Sequence, residues 1–416
     1  MTEIKFTTLP SGVRVVTETI PYLQSFSLGL WFDIGTRDEK KDELGIAHFA
    51  EHMLFKGTKK RNARKISEAI ESRGGYLNAF TSKEHTCYYA RGLTHNLATT
   101  FDVMMDMVQN PLFRESEVRK EKGVIIDEIL DLEDNPEELI FDKFEEIIFK
   151  GSPLALPILG TEKTVGGFSS EKLHKFHRQS YCANNFLVAV SGNIKHEQVL
   201  ELVEKNLNKS LQKIRRKRKV FTGSGFEEEI LLKNVTQVHC ITGCPSYGYE
   251  SERRWVLNTL SAILGDGSAS RLYQSVREKL GITYQINSFI NLFNETSAFG
   301  IYFSTSEKNL NRVLDTLRKE FENLIRNPVS VKELNRVKEY LKGNMILSLE
   351  NNSGRMIRLA NSVLYYNKVV TLQDTISAID RITVEDVHGL AADILDENKL
   401  TRLVIKNSEN NKNKAA

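Results

Sequence analysis

Apolar and polar residues alternate along residues 4–33, around turns at Pro10-Ser11-Gly12 and Pro21, and this two-residue period predicts strands joined by tight turns. From Gly45 to Gly57 the apolar positions take helical spacing instead, and they do so again from Ala63 to Ser72, where Gly74-Gly75 ends the helix. Residues 76–92, rich in Tyr, Phe and Thr, read as strands. Long helical patterns follow at 95–108 and 115–149, then a loop with Gly and Pro at 151–168, a helix near 170–179 and an apolar strand at 186–191.

The pattern breaks at Lys213-Ile214-Arg215-Arg216-Lys217-Arg218-Lys219 and the following Gly223-Ser224-Gly225, and then starts again in the same order. A strand region at 226–245 leads to helices near 252–264 and at 269–280, ending in Gly281, then strands at 283–305 and helices at 307–326 and 331–350. Asn327-Pro328 stands before the last of these as Asn110-Pro111 stands before the helix near 115. The expected fold class is therefore α+β: two related sandwich domains, each a mixed sheet with helices packed on it, duplicated within the chain. The expected division is 1–212, a solvated basic linker at 213–225, 226–408, and a polar, disordered tail at 409–416.

Composition narrows the class. With 416 residues, 40% hydrophobic and 27% charged, the chain is long enough for two cores and apolar enough to fill both. A net charge of +3 calls for neither nucleic acid nor an anionic membrane as partner. Cys87, Cys182, Cys240 and Cys244 are too few and scattered for a disulfide framework, which fits a reducing compartment. The opening residues lack the regions of a signal peptide, and no run of eighteen apolar residues occurs, so the expectation is a cytoplasmic chain without a membrane span.

The chemistry concentrates on His48-Phe49-Ala50-Glu51-His52. Residues on a helix turn by roughly 100° each, so His48, Glu51 and His52 share one face, and imidazoles at i and i+4 can both reach one zinc ion. This is the metallopeptidase motif H-E-x-x-H inverted, with Glu51 left free as a general base. Five residues recur by chance, and both histidines could equally satisfy polar atoms beside a helix. A catalytic zinc, however, takes three protein ligands and keeps an open position, so a third donor is needed. The helix at 115–134 offers Glu121 and Glu128, two turns apart on one face beside Val124 and Ile125, where a cation would offset the cost of carboxylates near apolar neighbours. His174-x-x-His177 and His239-Cys240 with Cys244 lack partners at fixed spacing and read as structural.

Together these residues make the sequence recognisable. The run Gly45-Ile46-Ala47-His48-Phe49-Ala50-Glu51-His52-Met53-Leu54-Phe55-Lys56-Gly57-Thr58, the segment Asn78-Ala79-Phe80-Thr81-Ser82 and the Glu121/Glu128 pair resemble the pitrilysin/insulinase family of inverzincin zinc peptidases. Within it, the sequence resembles the shorter two-domain chains similar to mitochondrial processing peptidase and its bacterial relatives. The resemblance implies one zinc ion per chain on His48, His52 and Glu128, with Glu51 activating the water and Glu121 behind the ligands. It implies that Asn78, Ala79, Phe80 and Thr81 lie on an edge strand that receives an extended peptide. It also implies that Arg277 and Tyr284, in a segment similar to one that reaches the catalytic cleft, donate to the substrate carbonyl or the oxyanion. Aligning Gly74 with Gly281 lays His48 to His52 over Trp255 to Thr259, which carry no metal donors, so the second half is expected to be a degenerate copy.

The function expected from residues and resemblance is a zinc-dependent metalloendopeptidase acting on extended or unfolded peptides, working as a homodimer. A non-catalytic assembly subunit of the same fold, or a dedicated precursor-maturation peptidase, are the alternatives.

Overall fold

The computed structural model describes residues 2–208, 213, 217–223 and 226–408; the expected tail and part of the expected linker lie outside the described residues. The chain forms two compact units, one of Met1–Leu130, Leu156–Lys219 and Ile346–Val370, the other of Asp131–Ala155, Val220–Met345 and Thr371–Ala416. Neither unit is continuous in sequence, which differs from the single break expected at 213–225. Residues 131–155 and 346–370 are each assigned to the unit built mainly by the other half of the chain.

The first unit holds a six-stranded mixed sheet of β1 (Glu3–Thr8), β2 (Arg14–Thr19), β3 (Ser25–Phe32), β4 (Tyr76–Thr81), β5 (Thr86–Leu93) and β6 (Phe186–Gly192), in the order β1-β2-β6-β3-β5-β4. Only β2 and β6 run parallel. Between β3 and β4 come α1 (Ile46–Leu54) and α2 (Ala63–Glu71), and after β5 come α3 (Leu97–Gln109) and α4 (Glu115–Asp134). Phe49, Met53 and Leu54 of α1 enter one core with Phe26, Leu28, Leu30, Tyr88 and Ile125. Each such large apolar side chain contributes about 1.5–3 kcal/mol when fully buried.

The second unit repeats this plan with five strands, β7 (Glu228–Lys233), β8 (Val238–Tyr247), β9 (Thr283–Leu292), β10 (Thr296–Thr305) and β11 (Thr401–Asn407), ordered β7-β11-β8-β10-β9. β7 to β11 succeed one another along the chain and sit in the sheet as β2 to β6 do, with the single parallel pair in the same place. Gly74 and Gly281, each just before the edge strand of its sheet, both take the left-handed conformation, at φ 69° and 60°. The duplication expected from periodicity is thus a duplication of topology, with β1 as an addition to the first unit.

The helical pattern over 115–149 holds two elements, the first of them the helix expected at 115–134. Pro136 stands at the first position of α5 (Pro136–Ile148), and the Asn135 side chain accepts hydrogen bonds from the backbone N–H groups of Glu137 and Glu138. Proline cannot continue a helix but fits its first turn. α5 then buries Leu139, Ile140 and Phe144 against Ile241, Tyr302, Leu403 and Ile405 of the second sheet. In the matching place of the second repeat, the helix Asn352–Tyr366 buries Met356, Leu359, Ala360 and Val363 against Val16, Trp31, Leu187 and Ala189 of the first sheet. Each repeat therefore lends a helix to the other repeat's sheet. Among the described residues, no helix is long and apolar enough to cross a membrane.

Candidate metal centre

Helix α1 is fixed at its start by backbone packing and by a carboxylate. Gly45 has φ 85°, and a Cβ there would stand 2.5 Å from the Leu159 carbonyl oxygen, so glycine is required on both counts. The buried Glu39 carboxylate accepts hydrogen bonds from the Gly45 and Ala47 N–H groups at 2.7 and 2.8 Å, serving the otherwise unpaired donors of the first turn. Burial pushes the Glu39 carboxyl well above the usual range, against those two hydrogen bonds.

This anchoring aims His48, Glu51 and His52 at α4. Nε2 of His48 lies 3.9 Å from one Glu128 carboxylate oxygen, and Nε2 of His52 lies 3.8 Å from the other. One donor atom from each of His48, His52 and Glu128 falls within 4.8 Å of the others, and this is the one such group of three among the described residues. Donors bound tetrahedrally at about 2.0–2.2 Å from zinc stand roughly 3.3–3.6 Å apart, so slight closure would complete the set. Two imidazoles and a carboxylate are donors suited to zinc. His48 Nδ1 is buried without a hydrogen-bond partner, and desolvation with the neighbouring His52 lowers the His48 pKa to about 3. An imidazole held neutral in this way keeps a lone pair for a metal.

Glu121 lies behind the group. Its carboxylate is buried, with Oε1 2.9 Å from His52 Nδ1 and Oε2 2.6 Å from Lys56 Nζ. A carboxylate on the far nitrogen of a ligating histidine fixes its tautomer and ring orientation. Burial pulls the His52 pKa down, but the Glu121 hydrogen bond and the charges of Glu128 and Glu51 outweigh it and leave it raised. Of the two apolar neighbours expected on this face of α4, Ile125 is fully buried; Val124 is 45% exposed and belongs to another face.

Glu51 is buried, and desolvation raises its pKa in spite of a 2.6 Å hydrogen bond from the Thr81 hydroxyl. Thr81 ends β4, the last strand of its sheet, which among the described residues pairs only with β5 and leaves its other side open. Along it Tyr76, Asn78 and Phe80 point outward while Leu77, Ala79 and Thr81 turn inward. The four residues expected to meet substrate thus divide: Asn78 and Phe80 are exposed, and Thr81 holds Glu51.

Arg277 and Tyr284 belong to the second unit. Arg277 lies in the π-helical turn Tyr273–Lys279, a rare form often found at functional sites, within the stretch expected as an ordinary helix at 269–280. It is half-buried, with its guanidinium over the Tyr273 and Tyr284 rings at 4.8 and 5.4 Å. Tyr284 is 80% exposed on β9.

The histidines set aside in the sequence have other partners. His177 Nε2 meets the Val108 carbonyl at 2.7 Å, His174 packs on Phe113, and His239 Nδ1 meets the Tyr302 hydroxyl at 2.9 Å. All four cysteines are buried and free. Lys56, Glu39 and the hydroxyl of Thr81 escaped the sequence reading as parts of the site. Lys56, one turn beyond His52 in the sequence, carried a readable signal; Glu39, in a loop, carried none.

Two repeated α+β units, the first presenting an inverted zinc-peptidase helix to a helix of carboxylates, define the class of duplicated inverzincin-type chains. The chain belongs to the M16 (insulinase/pitrilysin) peptidase family: the family profile described as Insulinase (Peptidase family M16) matches residues 14–162, and that described as Peptidase M16 inactive domain matches residues 167–341. It is 36% identical over 401 residues to an uncharacterized zinc protease of Streptomyces coelicolor, covering 94% of this chain and 87% of that one. An uncharacterized zinc protease of Bacillus subtilis is 34% identical over 406 residues, covering 96% and 98%. In fold the chain is similar to a protease from Helicobacter pylori, with a TM-score of 0.89 at 21% identity over 97% of this chain and 99% of that one. It is similar also to a peptidase M16 inactive domain from Pseudomonas fluorescens, with a TM-score of 0.90 at 20% identity over 97% and 98%.

Proposed function

We propose that this chain is a zinc metalloendopeptidase that hydrolyses extended or unfolded peptides at His48, His52 and Glu128, with Glu51 as general base. The observation that carries this reading is the convergence of those three donors beside a carboxylate held by Thr81. Zinc held there supplies Lewis acidity to the scissile carbonyl and to the attacking water. Glu51, its pKa raised by burial, takes the proton from that water and hands it to the leaving amine. Glu121, with Lys56 on its second oxygen, keeps His52 oriented. The open edge of β4 pairs with the substrate backbone, which is blind to side-chain identity and suits an enzyme of broad acceptance. Arg277 and Tyr284 donate to the substrate carbonyl oxygen, and the second copy of the chain in a homodimer provides them. A precursor-maturation role would use the same chemistry on a narrower substrate.

Strand addition needs an extended chain. Peptides of some tens of residues should therefore be cut when unfolded, and the same sequences stapled into a stable fold should survive, as read by mass spectrometry of the products. Equal rates on both forms would contradict the β4 mode.

A further inference from the structure

The two repeats differ in what covers one edge of their sheets. In the first unit β2 is covered twice: β1 pairs with it antiparallel, and the helix His196–Asn206 packs against it. His196 joins the three, its Nε2 2.8 Å from the Thr7 hydroxyl of β1 and its Nδ1 2.8 Å from the Thr17 hydroxyl of β2. β7 occupies the place of β2 in the second repeat. It ends its sheet, pairs among the described residues only with β11, and no described helix follows β11 as His196–Asn206 follows β6. Its outward face carries Ile230 and Leu232, 50% and 47% exposed, while Leu231 joins the core beneath α5 and Lys233 bonds Glu133. An apolar edge strand left open is a template for another strand, and native sheets normally blunt such edges.

We propose that β7 pairs antiparallel with β7 of a second copy of this chain, about a two-fold axis through Leu231. A two-fold contact presents the same surface twice, so the strand must complement itself. Opposed residues of an antiparallel pair share a face, which restricts the registers that symmetry allows. Centred on Leu231, Ile230 meets the partner's Leu232 on the outward face, and Glu229 meets the partner's Lys233 on the other. Glu228 meets the partner's Asn234, so no two like charges oppose each other. Centring on Ile230 instead would set Glu228 against the partner's Leu232 and Glu229 against the partner's Leu231, leaving carboxylates against apolar side chains. Centring on Leu232 would set Lys233 against the partner's Leu231. A parallel pairing in register would align Glu227, Glu228 and Glu229 with their own copies. The self-complementary charge and apolar pattern selects one arrangement.

This contact is independent of the zinc chemistry and of the exchange of Arg277 and Tyr284. Tyr284 lies on β9, the opposite edge of the same sheet, with the Arg277 guanidinium over its ring. One chain can use both.

Cysteine cross-linking in the full chain tests the register, because the native cysteines are buried. Leu231→Cys places two thiols across the axis at a Cα separation of about 4.5–5.5 Å, within disulfide reach. Mild oxidation should convert most of that variant to a covalent dimer, and likewise the double variant Ile230→Cys with Leu232→Cys, while Ile230→Cys alone should stay uncrosslinked. Ile230→Lys changes an exposed side chain and should leave folding and metal content intact while weakening self-association at least tenfold in sedimentation equilibrium. A wild-type chain whose mass is unchanged by Ile230→Lys, or cross-linking of Ile230→Cys alone in preference to Leu231→Cys, would overturn the proposal. Should Leu231→Cys misfold, the mass of Ile230→Lys decides alone.

Discussion

Glu51→Gln is expected to reduce peptide hydrolysis by about 10²- to 10⁴-fold, the usual contribution of a positioned general base, while the chain keeps one metal ion. The amide matches the carboxylate in size, and its oxygen still accepts the Thr81 hydroxyl, so neither α1 nor β4 has reason to move. Glu51 is not one of the three converging donors. Metal content by mass spectrometry and turnover on an unfolded peptide should therefore separate. Loss of both together would make Glu51 a ligand and refute its role as base.

The second large effect is recovery of activity on mixing two inactive variants. Arg277→Ala with Tyr284→Phe removes the proposed donors from the second unit, and because neither belongs to the metal group, zinc content should stay intact while turnover collapses. In a homodimer that completes each site from the opposite chain, mixing this variant with Glu51→Gln pairs an intact Glu51 with an intact Arg277 and Tyr284. Random exchange makes half the dimers mixed, each with one good site of two, so roughly a quarter of wild-type activity should return. A monomeric enzyme, or one completed within each chain, would show no recovery, and either result removes the shared site from the account.

The candidate metal centre was legible because its signals are local or periodic. His48, Glu51 and His52 fall on one face through the helical period alone, and Glu121 and Glu128 fall on one face because they are two turns apart. That these faces meet needed the family resemblance, since no single-sequence pattern encodes the approach of α1 to α4. The duplicated topology was legible in the order of strands and helices, and the paired glycines at 74 and 281 mark it in the backbone. The loan of α5 and Asn352–Tyr366 between the two sequence repeats was not. Both are amphipathic helices, and amphipathicity states that a face is buried without stating against which sheet. Asn135-Pro136 is the readable break within the pattern at 115–149, directly after the helix expected at 115–134. The π-helical turn around Arg277 was illegible for a different reason: its residues are ordinary helix formers, and the local register depends on packing. Thr81 was expected to meet substrate through the family resemblance alone; the alternation of β4 places it inward, and the reach of its hydroxyl to Glu51 depends on where α1 lies.

The proposed site requires that His48, His52 and Glu128 hold a zinc ion on which peptide hydrolysis depends. Its most direct test is to strip the purified chain of metal, titrate zinc back, and follow binding and hydrolysis of an unfolded peptide library in the same samples, with Glu128→Gln in parallel. The wild-type chain should bind one zinc per chain with activity rising in proportion and stopping at that equivalence. Glu128→Gln should bind zinc about 10-fold or more weakly and lag correspondingly. Hydrolysis that persists in the metal-free chain, or full zinc affinity in Glu128→Gln, would contradict the account.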